Sequence, residues 1–194
     1  LGFPSNGSGA LEALNINQVS QDSVKTQNIT VSGNVDANAT VVPVGSIPAT
    51  TNAGAAPTGV TTTYTDLNNA AAFSTVVDTF DSLGAKHTMT FFFFHTGSNQ
   101  YDVRGYVNSE DVDPSGTDTG LPRLVVDSGS NGAIQMTFNG DGTRANTPAL
   151  GSYDLVASIP WNNGSDPSSV NIKFDPFTQY SSSSNINSIT QDGK

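Results

Sequence analysis

Cysteine is absent from this 194-residue chain. Its absence excludes a disulfide framework, a thiolate metal site, a Cys nucleophile and any thiol-dependent link between copies through this part of the chain. Cations are scarce: seven Lys and Arg stand against seventeen Asp and Glu, a net charge of −10. Nucleic-acid phosphates and anionic membrane surfaces need clustered cations, so neither is expected as a partner. Charge of either sign is thin, at 12 % of residues, against about 25 % in an average globular domain. No apolar run approaches the ~20 residues of a membrane-spanning helix. Glutamate is nearly missing, with two Glu to fifteen Asp. Glu favours helices whereas Asp favours turns and caps, so the acids alone argue against a helical bundle.

Ser, Thr and Asn fill the space instead, 64 residues together, with 19 Gly and 10 Pro. A surface of hydroxyls and amides is common in exported and fibrous material, so an extracellular location is expected. The opening LGFPSNGSGALEAL has no basic region and no apolar segment of signal-peptide length. Export is therefore expected to use another route or a segment outside this chain.

The prevailing period is two. Ile29, Val31, Val35 and Ala37 alternate with polar residues, interrupted at Gly33. From Ser74 to Phe80, Val76 and Phe80 share one face and Thr75, Val77 and Thr79 the other. Met89, Phe91 and Phe93 lie on one face of the next segment, with Thr88, Thr90, Phe92 and Phe94 opposite. Tyr101, Val103 and Val107 follow, then Ile134, Met136 and Phe138. Two more sets are Tyr153, Leu155, Ala157, Ile159 and Val170, Ile172, Phe174. About eight short segments bounded by Gly, Asn, Asp and Pro read as an all-β, antiparallel sandwich or barrel with long loops. Ser82-Leu83-Gly84-Ala85 and Thr96-Gly97-Ser98-Asn99 read as hairpin turns, and Asn139-Gly140-Asp141-Gly142 as a turn after Phe138. Asp66 to Phe73 is the single helical candidate. Thr40 to Thr65 is either a surface loop or a spacer packed along the sheet, and Ser109 to Gly120 is a second excursion. The first twenty residues and the tail after Ser181–Ser184 are thin in core residues, as cut ends of something larger would be.

Chemistry finds little support. His87 and His95 sit at opposite ends of one expected strand, roughly 26 Å apart, too far for one metal or one dyad. Asp111, Asp113 and Asp118 resemble a calcium loop, but Pro114 follows Asp113 and no closing Glu appears. A solvated turn rich in Asp is the plainer reading, with a weak calcium site as the alternative. The two Glu lie in different regions, and no GxSxG, P-loop or GxGxxG motif occurs. No catalytic residue, cofactor or metal ligand is therefore assigned. Four consecutive Phe, 91 to 94, require either a strand covered on both faces or an exposed subunit contact. Trp161 before Asn162-Asn163-Gly164 is a core or rim residue or a sugar-stacking platform. The sequons, such as Asn28-Ile29-Thr30, say little in a chain so rich in these residues.

Ordered local motifs add a resemblance. Ser74 to Val107 resembles the central domain of bacterial flagellar hook proteins, with Phe80-Asp81-Ser82-Leu83-Gly84, then His87-Thr88-Met89, then Thr96-Gly97-Ser98-Asn99-Gln100-Tyr101. Leu1-Gly2-Phe3-Pro4 is similar to the family's Leu-x-Gly-Tyr-Pro, Ile134 to Thr143 to its strand and turn, and Phe174 to Gly193, with Gln191, Asp192 and Gly193, to its closing segment. Thr40 to Thr65 and Ser109 to Gly120 match poorly. The resemblance implies a structural subunit, not an enzyme. Such subunits polymerise into a short curved tube that joins the rotary motor to the filament and acts as a universal joint. It further implies that residues 24–181 are an outer inserted β domain, with 1–23 and 182–194 as connecting strands of the middle domain. The partner implied is the chain itself in a helical polymer, and this piece without helical termini is expected to be monomeric. An adhesin or carbohydrate-binding sandwich is the alternative, and a calcium-stabilised enzyme domain a third. Subunit-contact residues are not legible in the sequence.

Overall fold

Apolar alternation resolves into two stacked sheets. The computed structural model describes residues 23–113, 115–126 and 132–194. One sheet has four strands in the order β10 (Asn185–Gln191), β1 (Asn28–Asp36), β9 (Ser168–Tyr180), β8 (Leu155–Ile159). The other runs β2 (Thr51–Asn52), β6 (Pro122–Leu124), β5 (Gln100–Asn108), β4 (Lys86–Gly97), β3 (Phe73–Phe80), with β7 (Ala133–Thr137) also paired to β5. This is the expected all-β class, as an open sandwich and not a closed barrel. Two pairings, β1 with β9 and β2 with β6, are parallel. Between β1 and β9 the chain builds the whole second sheet, a crossover long enough to return in the same direction.

The Phe run explains both layers. Met89, Phe91 and Phe93 face inward, where Phe174 meets Phe91 and Phe93 edge-on at 5.3 and 5.6 Å. Phe92 and Phe94 face outward into a second cluster with Ile47, Leu67 and Tyr106. The Pro-rich stretch supplies its lid: Val42, Tyr64, Ala70 and Ala71 pack against that cluster. So Thr40 to Thr65 is a packed spacer, contributing a 3-10 turn (Val44–Ser46) and β2. All four Phe are at most 3 % exposed, which overturns the reading of this run as a subunit contact.

Helix α1 spans Tyr64–Ala70, so it begins before and ends before the expected Asp66–Phe73. Thr63 caps it, its hydroxyl accepting from the Asp66 N–H while the Asp66 side chain accepts from the Thr63 N–H. That capping box fixes the start, and Phe73 is taken by β3 because its backbone pairs with Phe93. The excursion after β5 holds one helical turn, α2 (Ser109–Val112). Tyr153 falls outside β8 and is 40 % exposed, so it drops from the expected apolar set. Gly84 and Asn99 carry the positive φ of the two hairpin turns, at 81° and 56°.

Gly33 marks a bulge in β1 where the register to both neighbours shifts. A Cβ there would lie 2.3 Å from the Asn185 carbonyl oxygen and 3.2 Å from the Phe177 ring. Gly33→Val is therefore expected to pry β10 from β1. Amides of residues 185–191 should then exchange at least ~10-fold faster, equivalent to a loss of ~1.4 kcal/mol in local protection. Unchanged exchange would contradict the close approach.

Candidate functional site

The residues of the Phe80–Gly84 turn meet His87 and Trp161 at one end of the sandwich. Phe80 ends β3, and Asp81 then organises the turn: its Oδ1 accepts from the N–H groups of Leu83 and Ala85, both at 2.9 Å. Gly84 closes the turn, its N–H donating to the Asp81 carbonyl at 3.2 Å. The other carboxylate oxygen of Asp81 meets His87 Nε2 at 3.2 Å and accepts from the Asn163 side-chain amide. On its other side, His87 Nδ1 lies 3.2 Å from Asp111 Oδ1, a contact across to α2. The imidazole stacks on Trp161 with ring centres 3.9 Å apart and planes 12° from parallel. Ser82 Oγ accepts from the Asp166 N–H at 2.9 Å. The β3–β4 turn, α2 and the β8–β9 loop are thus pinned together, across both sheets.

Electrostatics follow from that packing. Burial opposes a charge on His87, but hydrogen bonding and attraction from Asp111 and Asp81 outweigh it, so its pKa lies above the ordinary histidine value. Burial likewise opposes the Asp81 carboxylate, and its hydrogen bonds from Asn163, His87, Ala85 and Leu83 bring its pKa down to about 2. The partners of His87 lie 6 and 24 positions away, and Trp161 lies 74 away, so no local spacing could have revealed them.

Trp161 is 7 % exposed, with one face on His87 and its Nε1–H donating to Ser168 Oγ at 2.8 Å. That excludes it as a sugar-stacking platform. The three acids of the calcium-like loop go to different partners. Arg123 Nη2 donates to Asp113 at 2.9 Å and to Asp118 at 3.0 Å, whereas Asp111 faces His87. A guanidinium therefore neutralises two of them from within the chain. Among the described residues no group of three or more His, Asp or Glu is placed to hold a metal ion.

The remaining motif residues do other work. Met89 lies in the main core, and Tyr101, in the same core at the other end of the strand pair, donates to the Asp36 carbonyl at 2.6 Å. Tyr101 also stacks on His95 at 4.8 Å, and His95 Nδ1 meets the Ala39 carbonyl at 2.6 Å. Thr96, Gly97 and Asn99 form the β4–β5 hairpin, where the register shifts between His95 and Gly97. Gln191, Asp192 and Gly193 belong to a different corner. Asp192 accepts from the N–H groups of Gln27 and Asn28 at 2.8 and 3.0 Å, and Gln191 accepts from Thr26 at 3.2 Å. Beyond them Val24 and Lys194 exchange two backbone hydrogen bonds, at 2.9 and 2.8 Å. Leu1 to Pro4 lie outside the described residues.

One network escaped the sequence reading. Arg144 donates to both oxygens of Asp154 and to the Phe174 carbonyl at 2.6 Å, while Asp154 accepts from the Phe174 N–H at 2.8 Å. Both side chains are buried, at 2 and 5 % exposure.

Comparison with protein families matches residues 47–194 to the flagellar basal body protein FlaE D2 domain. Among solved structures, the chain is similar to a 32 kDa fragment of the flagellar hook protein FlgE from Caulobacter crescentus, at 19 % identity and a TM-score of 0.42. That likeness covers 63 % of this chain and 46 % of the fragment, so the chain spans under half of its length. Comparison with curated proteins gives no match.

Proposed function

The chain belongs to the family of the flagellar basal body protein FlaE D2 domain, and from that premise we propose that it is the outer β part of a flagellar hook subunit. The family match over residues 47–194 carries this reading. In it, residues 24–181 form the outer domain, and 1–23 and 182–194 connect it to a neighbouring β domain of the same subunit. The paired backbones of Val24 and Lys194 support an inserted domain, because the two connections run side by side. The role is structural and extracellular, and the partner is the subunit itself in a helical polymer. The motif residues Phe80 to Gly84, His87, Met89, Thr96, Gly97, Asn99 and Tyr101 serve as internal ties of the domain. Gln191, Asp192 and Gly193 tie its exit strand.

Surface chemistry supports a universal-joint mechanism. A bending tube must let neighbouring outer domains exchange contacts in each revolution. Hydrated polar contacts exchange at low cost, whereas a broad dry apolar interface fixes one arrangement. The Arg123 and Arg144 side chains are buried, and Lys86 and Lys173 pair with Asp78 and Asp175 of their own chain. Few cations are left to form fixed ion pairs with a neighbour. Exposed apolar side chains such as Val76, Leu83 and Leu150 lie on separate elements. Ser158 and Ser169 face each other on the exposed side of β8 and β9. Replacing both with Leu in the full subunit is expected to stiffen assembled hooks or freeze their curvature. Bending measured by electron microscopy of isolated hooks checks this, and unchanged flexibility would contradict it. The piece described here is expected to be monomeric on a size-exclusion column with light scattering. A dimer or larger species at micromolar concentration would contradict that expectation.

A further inference from the structure

We propose that the His87 cluster is a proton-operated latch at one end of the six-stranded sheet: the imidazolium holds Asp81 and Asp111 together, and loss of its proton releases Asp111 and loosens α2. The proposal does not depend on the flagellar reading.

The argument is one of valence. An imidazolium has two N–H donors; His87 Nε2 is hydrogen-bonded to Asp81 at 3.2 Å, and Nδ1 lies 3.2 Å from Asp111 Oδ1 as an ion pair. A neutral imidazole has one donor and one lone pair, so one of the two acids must then face a lone pair. Asp81 is held by the Leu83, Ala85 and Asn163 donors whatever His87 does. Asp111 sits at the rim, with its side chain 26 % exposed, and among the described residues its carboxylate accepts no hydrogen bond from any other group. The neutral ring therefore keeps its proton on the Asp81 side and lets Asp111 go. Trp161 stacked on the ring favours the cation as well.

Among the described residues, the charged groups of the elements around the ring support that direction or stand clear. From the β3–β4 turn comes Asp81, and from α2 comes Asp111. Glu110, on the same turn, accepts from the Gly120 N–H at 2.8 Å. The Tyr64 hydroxyl of α1 belongs to the second cluster, its ring against Phe92, and its own ionisation is pushed up by burial and then by Asp111 and Glu110. From the β8–β9 loop come Trp161 and Asn163, and Asp166 meets the turn only through its backbone N–H to Ser82. On the strand of His87 itself, Lys86 is paired outward with Asp78 at 3.3 Å.

The movement reaches both sheets because α2 is bonded to the β8–β9 loop. Asn162 donates its N–H to the Asp111 carbonyl at 2.7 Å and its side chain to the Asp113 carbonyl at 2.8 Å. Folded His87 binds its proton more tightly than unfolded histidine, so its stabilisation is complete below about pH 6.5. It is lost as pH rises through the folded pKa. The carboxylate side acts at the other extreme: the Asp81 contribution is present above about pH 4 and fades as pH falls towards its folded value of about 2.

The test is a pH titration from 5 to 9 of the intact chain. The His87 ring is followed by nitrogen-15 NMR, α2 by amide exchange, and the single Trp by fluorescence. The expected result is one shared midpoint above that of free histidine, with faster exchange of residues 109–113 on the alkaline side. Asp111→Asn should lower the midpoint by about half a unit or more, roughly threefold in proton affinity. His87→Gln should abolish the α2 transition, and His95→Gln should keep it. A His87 ring that does not titrate above the free value overturns the proposal. So does α2 exchange that ignores its protonation. Both are read on the unaltered chain, so the test survives if the His87 variant fails to fold.

Discussion

Phe93→Ala is expected to cost about 3–5 kcal/mol of stability, the range for a fully buried Phe whose cavity cannot collapse. Phe93 is 0 % exposed and lies at the centre of an aromatic stack, 5.6 Å from both Phe174 and Phe177 and 5.5 Å from Phe73. Phe174 and Phe177 come from β9 in the opposite sheet, so truncation removes two ring contacts between layers. In a domain of this size each kcal/mol moves Tm by roughly 2–4 °C, so a fall of about 6–20 °C in circular-dichroism melting is expected. Phe92→Ala distinguishes this fold from one that reserves the other face for a neighbouring subunit. A face left open in the isolated chain would tolerate the change, within about 0.5 kcal/mol. Phe92 is instead 3 % exposed, between Tyr106 at 5.8 Å and Tyr64 at 6.4 Å. The expected loss is several-fold larger than the open-face value, and a neutral Phe92→Ala would contradict the lid formed by residues 40–71.

Arg144→Met carries the second large effect, again about 3–5 kcal/mol, because it leaves a buried carboxylate without its partner. Asp154 would keep only the Phe174 N–H, and the Phe174 carbonyl would lose its donor. Arg144→Lys should recover little of this, since an ammonium cannot serve both Asp154 oxygens and the carbonyl in one plane. The double variant Arg144→Met, Asp154→Leu removes both charges and is expected to be more stable than Arg144→Met alone. Urea unfolding of the three proteins checks the order. Equal stability of Arg144→Met and the parent would show that the pair contributes nothing.

Much of the β framework was legible because one face of each strand is buried and period two survives in the sequence. Ile29, Val31 and Val35 show it, as do Leu155, Ala157 and Ile159. Gly33 broke the period and proved to be the bulge. The Phe run forced two covered faces or one exposed patch, and only the placement of Leu67, Val42 and Ile47 decided between them. That lid has no periodicity because its residues reach the sheet from a loop, a 3-10 turn and a short helix. Thr63 and Asp66 stand at cap spacing, a signal of the helix start that the sequence reading, which began the helix at Asp66, did not use.

The ties at the ends of the sandwich were invisible for a different reason. Asp81 in a turn motif reads as a local Asx turn, which it is, through Leu83 and Ala85. Its second oxygen serves His87 and Asn163, 82 positions away for the latter. Arg123 with Asp113 and Asp118 lies within ten residues and could have been suspected, because a lone Arg in an apolar strand beside an Asp-rich loop needs a buried acid. Arg144 with Asp154 offered the same cue across a Pro- and Gly-containing loop. Surface contacts between subunits left no pattern, since exposed Ser, Thr and Asn look alike whether or not a neighbour touches them.

Immunogold electron microscopy of intact flagellated cells, with antibody raised against this chain, tests the central claim most directly. The account predicts gold along the outside of the short curved segment between cell body and filament, and none on the filament itself. Gold spread over the envelope or along other surface fibres would contradict it.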